Sequence, residues 1–324
     1  MKAVRIHSPG GAEALRYEDA PDPQPKAGEV VVQIAAAGLN YIDVYHRTGA
    51  YKGSFPQTLG VEGAGTVAAL GPEVKGVRVG DRVASVSMAG SYAEFAAVPA
   101  EKLVPLPERV SFREAAAAML QGMTAQYLTS STYLLKAGDT CLLHAAAGGV
   151  GQLLCQVAKN RGATVIATAG GQEKTAIAVK AGADEVIDYK TEDFEEKVKR
   201  ITGGKGVHVV YDSVGKATFE KGLNCLVRRG MMVLFGQSSG AVAPVDPQTL
   251  NQKGSIYLTR PTLFHYVALR EELLERSSQV LGWVRDGIVK LAIFREMPLE
   301  QAAEAHRMLE ARQTAGKVLL IPLG

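Results

Sequence analysis

The sequence predicts an α/β protein in which a doubly wound parallel sheet is joined to a β-rich, barrel-like domain. Residues 140–235 alternate between short apolar strands and amphipathic helices, which is typical of βαβ units in a parallel sheet. Residues 1–100 instead show closely spaced turn signals between β-branched runs, which is typical of a compact sheet of short strands. A chain of 324 residues is long enough for two such domains.

The elements of the β-rich domain are marked by proline and glycine. A proline-rich stretch at residues 21–25 precedes a predicted strand at 30–36. Residues 60–70 are studded with glycine, and residues 76–86 contain a turn followed by a valine-rich strand. Residues 46–50 are interpreted as a glycine-bearing loop. Residues 111–114 (Ser-Phe-Arg-Glu) predict a capping box at the start of a helix.

The parallel sheet follows from the alternation of elements after residue 140. Strands are predicted at residues 140–144, 164–168, 185–188, 207–211 and 230–235, and helices at 151–161, 173–181, 193–202 and 217–227. Two more helices, at 269–285 and 299–312, and a strand at 317–321 complete the chain. The β-rich domain is therefore predicted to comprise residues 1–123 and 265–324, and the parallel-sheet domain residues 124–264.

Composition is that of an ordinary globular protein, with 47% hydrophobic and 21% charged residues. A formal net charge of +3 neither demands nor excludes a polyanionic partner. Cys141, Cys155 and Cys225 lack the spacing of a metal site and are predicted to be buried free thiols. The N-terminus has no signal-peptide pattern, and no apolar run approaches the ~18 residues of a membrane span. We expect a cytoplasmic protein.

The most informative stretch is residues 142–151, Leu-Leu-His-Ala-Ala-Ala-Gly-Gly-Val-Gly. A predicted strand runs into a glycine-rich turn that opens a helix, so the backbone can approach a pyrophosphate and the helix N-terminus attracts it. Against the G-x-G-x-x-G fingerprint, Ala146 stands at the first position, and Gly148 and Gly151 stand at the second and third. The stretch predicts a dinucleotide site, whereas His144 beside it is predicted to be a hydrogen-bonded structural histidine.

The residues after the second predicted strand indicate which dinucleotide is bound. NAD-binding folds place an acidic residue about 20 positions after the glycine turn, where it binds the ribose 2′-hydroxyl. Counted from Gly148, that place is residues 168–171, Thr-Ala-Gly-Gly, which hold no carboxylate. Lys174 follows a few residues later, and a lysine suits a 2′-phosphate. The sequence therefore favours NADPH over NADH.

Five segments, the glycine turn among them, match a known family in order along nearly the whole chain. They are residues 38–43 (GLNYID), 59–65 (LGVEGAG), 145–151 (AAAGGVG), 210–215 (VYDSVG) and 250–255 (LNQKGS). Together they resemble the medium-chain dehydrogenase/reductase superfamily, and more narrowly its zinc-free, zeta-crystallin-like NADPH:quinone oxidoreductase branch. The resemblance implies a Rossmann domain that binds NADPH, a β-rich catalytic domain and a homodimer, joined at the edge of the nucleotide-domain sheet.

Zinc ligands are missing from the positions where the superfamily's alcohol dehydrogenases carry them. Those enzymes have a cysteine where this chain has Asn40 and a histidine where it has Val61. Glu62 is present, but a catalytic zinc needs three protein ligands. We expect no metal at this place and a structural role for Glu62.

The resemblance also implies the roles of individual residues in a hydride transfer to a quinone. Asn40, Tyr45 and Tyr51 would line the acceptor cleft and hydrogen-bond a quinone oxygen as it gains charge. The implied cofactor contacts are Asn40, Asp43, Tyr45, Thr124, Ala147, Gly148, Gly149, Val150, Gly151, Thr168, Gly170, Lys174, Tyr189, Ser213, Phe235, Gly236, Gln237, Ser238, Arg260, Pro261, Thr262, Leu263, Arg312 and Lys317.

Two alternatives remain open from the sequence. A zinc-free reductase of the same superfamily could reduce the activated C=C bond of an enone or enal, because it would share the cofactor site. A non-catalytic role, crystallin-like or RNA-binding, is the third reading. The chain lacks the interleaved basic and aromatic residues of single-strand binders, so we do not expect nucleic acid as a partner.

Overall fold

The structure, a computed structural model, describes residues 1–322 and divides into two compact units. Of the described residues, unit 1 comprises 1–123 and 267–322, and unit 2 comprises 124–266. Each unit has its own buried apolar core. Within the described residues no helix is both long and apolar enough to cross a membrane.

Unit 2 is built on a six-stranded sheet in which every pair of neighbouring strands is parallel. Its strands lie in the order Glu185–Asp188, Thr164–Ala169, Thr140–Leu143, Val207–Asp212, Leu226–Leu234 and Tyr257–Thr259. Numbered along the chain this is 3-2-1-4-5-6, the order of a Rossmann sheet. The α-helices are Gly149–Asn160, Gln172–Lys180, Phe194–Ile201, Phe219–Asn224, Pro247–Gln252 and Leu263–Tyr266, and a π-helical turn spans Leu128–Thr132.

Near-continuous apolar runs explain why these strands are buried. Leu142, Ile166 and Val210 have no exposed surface and pack with Phe219 and Leu223 of one helix. Parallel strands flanked by helices on both faces need apolar side chains on both faces. The alternation of apolar strands and amphipathic helices in the sequence therefore predicted this sheet. The predicted α/β fold with a Rossmann sheet is confirmed.

Unit 1 contains a seven-stranded mixed sheet and a three-stranded sheet. The larger sheet contains Ile293–Pro298, Lys317–Ile321, Glu29–Leu39, Gly63–Leu70, Arg82–Ser85 and Val104–Pro105, with Phe95–Pro99 also paired to the long strand Glu29–Leu39. The smaller sheet contains Arg16–Asp19, Lys2–Ile6 and Gln57–Thr58. The α-helices are Tyr41–Thr48 (helix α1), Phe112–Tyr127, Arg270–Arg285 and Ala302–Glu310, and the 3-10 turns are Ala12–Ala14, Ala100–Lys102 and Leu299–Gln301. The long helix Phe112–Tyr127 ends in unit 2.

Helix ends show where local sequence signals suffice. The capping box at residues 111–114 is confirmed, because the Ser111 backbone N–H and hydroxyl both donate to Glu114 Oε2, at 2.8 and 2.7 Å. The interpretation of residues 46–50 as a loop was wrong, because helix α1 continues to Thr48. Asn40 precedes this helix and Gly49 ends it in the left-handed region, with φ +79°. An Asn before a segment and a Gly after it are signals of helix boundaries, and here they mark the two ends of helix α1.

One predicted helix in unit 2 is shorter than expected. Residues 217–227 form a helix only over Phe219–Asn224, and the next strand begins at Leu226 instead of residue 230. Val207 pairs with Leu226, and the register then shifts before Val209. The extra residues include Arg229, whose φ is +60°. Arg228 and Arg229 therefore lie on this strand.

Candidate functional site

The glycine turn of unit 2 is formed as the fingerprint requires. The strand Thr140–Leu143 leads into the turn, and the helix Gly149–Asn160 follows with Gly148 as its N-cap. Ala145 has φ +57°, and the Gly148 N–H donates to its carbonyl across 3.0 Å. The first N–H groups of a helix have no partner within it, so this helix presents donors and a positive dipole end.

The space around the turn explains its glycines and tests whether a pyrophosphate fits. A Cβ on Gly151 would lie 2.4 Å from the Ala145 carbonyl oxygen and 2.7 Å from the Cα of Ala146. A Cβ on Gly148 would lie 3.2 Å from the same oxygen. No acidic side chain occupies the first turn of the helix. The turn is thus packed against the helix as closely as the backbone allows. The positive end of the helix dipole, with no acidic side chain beside it, suits a phosphate.

His144 and Thr168 lie beside this turn and are hydrogen-bonded to each other. His144 Nδ1 and Thr168 Oγ1 are 3.0 Å apart, and both side chains are buried. Burial lowers the pKa of His144, whose ring also packs edge-on against Phe194. The hydrogen bond predicted for His144 is present at Nδ1, while its Nε2 is buried without a partner, and the structural role of the residue stays a prediction. The Thr168 hydroxyl is directed to this histidine, so a cofactor contact from Thr168 stays a prediction that its side chain does not favour.

The end of the second strand carries the groups expected at a 2′-phosphate. Gly170 lies beneath Tyr189, because a Cβ on Gly170 would be 2.5 Å from the Tyr189 hydroxyl oxygen. Lys174 lies in the first turn of the helix that follows Gly171. Lys190, which the sequence analysis missed, places its Nζ 3.6 Å from a Cβ built on Gly171. Parallel pairing of Ala169 with Asp188 brings the two segments together.

The carboxylate nearest to these glycines is already occupied by backbone donors. Asp188 Oδ1 accepts hydrogen bonds from the N–H groups of Gly171 at 2.9 Å and Lys190 at 3.0 Å. These bonds hold the pKa of Asp188 below its usual value. The carboxylate therefore shapes the loop, and the adjacent lysines leave the place suited to an anion.

The remaining predicted cofactor residues of unit 2 gather at the same edge of its sheet. A Cβ on Gly236 would lie 2.6 Å from the Ser213 carbonyl oxygen, so these two strand ends touch. The Ser238 N–H donates to the Ser213 carbonyl across 3.2 Å. Ligands of parallel sheets bind at the carboxyl ends of the strands. The segments that follow strand carboxyl ends there are Ala147–Gly151, Gly170, Ser213, Phe235–Ser238 and Arg260–Leu263, while Thr124 lies buried in the helix Phe112–Tyr127.

In unit 1, Asn40 is held by a buried ion pair between Glu62 and Lys317. The Lys317 ammonium donates to Asn40 Oδ1 at 2.8 Å and to Glu62 Oε2 at 2.5 Å. Asn40 Nδ2 donates to Glu62 Oε2 at 2.7 Å and to the Gly38 carbonyl at 3.1 Å. Glu62 Oε1 accepts from the Leu120 N–H at 2.6 Å. Both hydrogens of the Asn40 amide are therefore used inside the protein.

This arrangement bears on two predicted site residues, Asn40 and Lys317, and a third, Arg312, lies apart from it. Asn40 cannot donate to a quinone oxygen without giving up one of its internal bonds. Lys317 is only 2% exposed and is engaged with Glu62 and Asn40, whereas the sequence analysis had it reaching the cofactor. Arg312 lies just beyond the helix Ala302–Glu310 with φ +58° and is exposed. Cofactor contacts from Lys317 and Arg312 stay predictions.

The predicted acceptor residues lie on and just after helix α1. The rings of Tyr45 and Tyr51 are 5.3 Å apart, as are those of Tyr41 and Tyr45. The Tyr51 N–H donates to the Tyr45 carbonyl across 3.0 Å, which fixes the chain after the helix. Tyr51 is 36% exposed. The structure thus brings Tyr45 and Tyr51 together and adds Tyr41, which the sequence analysis did not single out.

Asp43, the remaining predicted cofactor residue of helix α1, is wholly buried. Its Oδ2 accepts from the Asn40 N–H at 2.8 Å and from the Tyr92 hydroxyl at 2.9 Å. Burial raises the pKa of Asp43 to about 7, although those two hydrogen bonds and the charge of Lys317 oppose the rise. Asp43 faces the protein interior, so a direct cofactor contact from its carboxyl group stays a prediction.

The position of the zinc ligands in related dehydrogenases is occupied here by Asn40 and Val61. Glu62 is engaged by Lys317, as the sequence analysis expected of a structural residue. Among residues 1–322 no three or more His, Cys, Asp or Glu side chains come together as a metal site.

Known proteins match this chain over nearly its whole length. Residues 26–108 match the alcohol dehydrogenase GroES-like domain, and residues 149–275 match the zinc-binding dehydrogenase family. The chain is 46% identical to quinone oxidoreductase 1 of Escherichia coli over 98% of its length and 99% of that protein. It is 40% identical to the 2-haloacrylate reductase of a Burkholderia species, with 99% of each chain covered.

A solved structure agrees with the sequence match. The crystal structure of Escherichia coli quinone oxidoreductase complexed with NADPH superposes with a TM-score of 0.97 at 45% identity, covering 99% of this chain and 100% of that one. Fold, glycine turn and full-length identity lead to the same assignment. The chain therefore belongs to the zeta-crystallin-like quinone oxidoreductase family of the medium-chain dehydrogenase/reductase superfamily.

Proposed function

We propose that this protein is an NADPH-dependent reductase that passes a hydride to a quinone. The observation that carries the proposal is the glycine turn at the carboxyl edge of a 3-2-1-4-5-6 sheet, together with Lys174 after its second strand and Lys190 after its third. Its homologue from Escherichia coli is a quinone oxidoreductase whose structure contains NADPH.

The residues of unit 2 would hold the dinucleotide at two charged points. The helix that begins at Gly149 binds the pyrophosphate through its free N–H groups and dipole. Lys174 and Lys190 bind the 2′-phosphate. Tyr189 lies against Gly170 at the end of the second strand. When bound, NADPH supplies the hydride.

Tyr45 and Tyr51 are the proposed acceptor residues of unit 1. Reduction of a quinone adds one hydride and one proton, so negative charge develops on a quinone oxygen. A tyrosine hydroxyl can donate to that oxygen. Asn40 already donates both amide hydrogens to Gly38 and Glu62, so we assign it the role of holding the start of helix α1.

A stopped-flow assay tests the function directly. Purified protein is mixed with NADPH, and absorbance is followed after addition of a quinone or of an enone. Rapid oxidation with quinones and slow oxidation with enones is the expected result. Faster turnover of the enone would favour the C=C reductase that the sequence left open. No oxidation with any acceptor would refute the catalytic role.

A homodimer and a cytoplasmic location complete the proposal. The strand Tyr257–Thr259 is the edge of the unit 2 sheet, and Tyr257 on it is 57% exposed. An exposed edge strand can pair with a second copy. Cys141, Cys155 and Cys225 are free and buried, as in proteins of reducing compartments. Light scattering and cell fractionation would check the two statements.

A further inference from the structure

Helix α1 is too short to be stable by itself, so its position depends on what its inner face contacts. It has eight residues, and isolated helices of that length do not form in water. Asp43, Val44 and Arg47 face inward and are buried, whereas Tyr41 and Tyr45 are only partly buried. Two of the three inward side chains are charged types, which is unusual for a helix that merely needs an apolar anchor.

Asp43 and Arg47 are joined through two buried side chains from other parts of unit 1. The Tyr92 hydroxyl donates to Asp43 Oδ2 across 2.9 Å and lies 3.3 Å from His306 Nε2. His306 Nδ1 lies 3.2 Å from Arg47 Nη1. Arg47 binds both carboxylate oxygens of Glu310, at 2.8 and 2.7 Å. We call these five residues, Asp43, Tyr92, His306, Arg47 and Glu310, the buried network.

The protonation states of this network differ from those of exposed groups. Burial and the adjacent Arg47 lower the pKa of His306 to about 3, so His306 is neutral. Burial and the neighbouring Asp43 raise the pKa of Tyr92. Besides Tyr92, the charged groups that face Asp43 are Lys317, which favours the carboxylate, and Glu62, which disfavours it.

Directional hydrogen bonds restrict a helix more than apolar contacts do. Val44 alone would allow helix α1 to slide or rotate, because dispersion contacts are weakly directional. Toward one end of helix α1, Arg47 forms a bidentate pair with the Glu310 carboxylate. Toward the other end, the Asp43 carboxylate accepts two hydrogen bonds. Together these bonds fix one position and one rotation of the helix. Burying polar groups is costly unless they find partners; Asp43 Oδ2 has two, whereas Asp43 Oδ1 has none.

We propose that Tyr92 and His306 are positioning residues for the quinone step, because the buried network sets helix α1 and thereby places Tyr45. This inference rests on the proposed quinone reductase function. Neither residue is assigned to contact quinone or NADPH; each acts through Asp43 and Arg47.

The test compares Tyr92→Phe with the unmutated holoenzyme across pH 5.5 to 9. The variant keeps the ring and loses the hydroxyl that joins Asp43 to His306. We expect kcat/KM for a quinone to fall about ten-fold, the size of one buried hydrogen bond, with the Kd of NADPH changed less than about two-fold. Tyr133→Phe, which removes a hydroxyl bonded to Asp139 in unit 2, is the matched control.

The pH profile separates positioning from general destabilisation. In the unmutated enzyme kcat/KM should show an inflection near pH 7, where Asp43 titrates. Because the Tyr92 hydroxyl lowers the pKa of Asp43, its removal should move that inflection to higher pH. The control variant should leave the inflection in place.

Several outcomes would overturn the inference. An inactive unmutated enzyme would remove the proposed function and the inference together. An active enzyme whose Tyr92→Phe variant matches it at every pH would overturn the inference alone, as would equal losses in quinone turnover and NADPH binding. If Tyr92→Phe does not fold, Glu310→Gln at the partly exposed end tests the same network. It should lower quinone kcat/KM about three-fold, as expected when a charged acceptor is replaced, and unchanged turnover would contradict the inference.

Discussion

The Tyr92 hydroxyl donates to Asp43 and lies 3.3 Å from His306, so it separates two buried groups whose pKa values move in opposite directions. The pKa of Asp43 rises from 3.8 to about 7, mainly through burial. The pKa of His306 falls from 6.5 to about 3, mainly through burial and secondly through Arg47. Both pKa shifts favour the neutral form of the side chain. They make opposite contributions to the pH dependence of the free energy of unfolding.

Between pH 4 and 6.5 the two contributions should nearly cancel. The contribution of Asp43 is full below pH 3.8 and is lost as pH rises through about 7, whereas that of His306 is full above pH 6.5 and is lost as pH falls toward 3. In Asp43→Asn the free energy of unfolding should therefore rise with pH across this window, and in His306→Gln it should fall. Each change should amount to roughly 1.4 kcal/mol per pH unit. Urea unfolding at several pH values measures this, and variants whose slopes match the parent protein would contradict it.

NADPH should bind at least about ten-fold more tightly than NADH, because a charge-assisted contact to phosphate contributes roughly 1.5–3 kcal/mol. Lys174→Ala and Lys190→Ala should each weaken NADPH and leave NADH nearly unchanged. Lys180→Ala, at the far end of the same helix as Lys174, is the control. Fluorescence titration measures the Kd values. Equal titration curves for the two cofactors in the unmutated protein would refute the preference.

Gly151→Ala should weaken NADPH binding by about 1–3 kcal/mol, because a Cβ there would lie 2.4 Å from the Ala145 carbonyl oxygen and would displace the turn. Gly282→Ala is the matched control, since it adds a methyl group to a helical glycine with nothing within 4 Å. Calorimetric titration and thermal melts compare the two. Unchanged NADPH affinity in Gly151→Ala would show that the turn tolerates a side chain and that close packing is not required.

Quinone turnover should be indifferent to metal chelators. Asn40 and Val61 stand where zinc ligands would have to be, and Glu62 is paired with Lys317. The rate of NADPH oxidation is measured before and after prolonged dialysis against a chelator. Activity that is lost on dialysis and returns with added zinc would be incompatible with this prediction.

Tyr51→Ala should lower kcat/KM for a quinone by about 1–3 kcal/mol, because a hydroxyl donor and an aromatic wall are lost together. NADPH titration should stay close to that of the parent. Tyr17→Ala serves as control, since Tyr17 in unit 1 is also 36% exposed but lies on the strand Arg16–Asp19. Quinone reduction that survives Tyr51→Ala intact would show that Tyr51 is not an acceptor residue.

The parallel sheet and the glycine turn could be predicted because their signals are local. A strand, a turn and a helix follow one another within residues 140–160, and each leaves its own pattern in the sequence. Lys190 was missed because its nearness to Gly171 depends on the pairing of two strands. The buried network was missed for a stronger reason. Arg47 meets Glu310, 263 positions further along the chain, and no local pattern encodes such a contact.

The burial of all three cysteines has a consequence for the proposed quinone reductase activity. Quinones are electrophiles that add to thiolates, and the thiolate, not the thiol, is the attacking form of cysteine. Burial raises the pKa of Cys155 and Cys225 to about 12 and raises that of Cys141 as well. Each side chain is also shielded from solvent. The protein therefore offers the proposed quinone substrate no reactive cysteine, and turnover should proceed without arylation of cysteine.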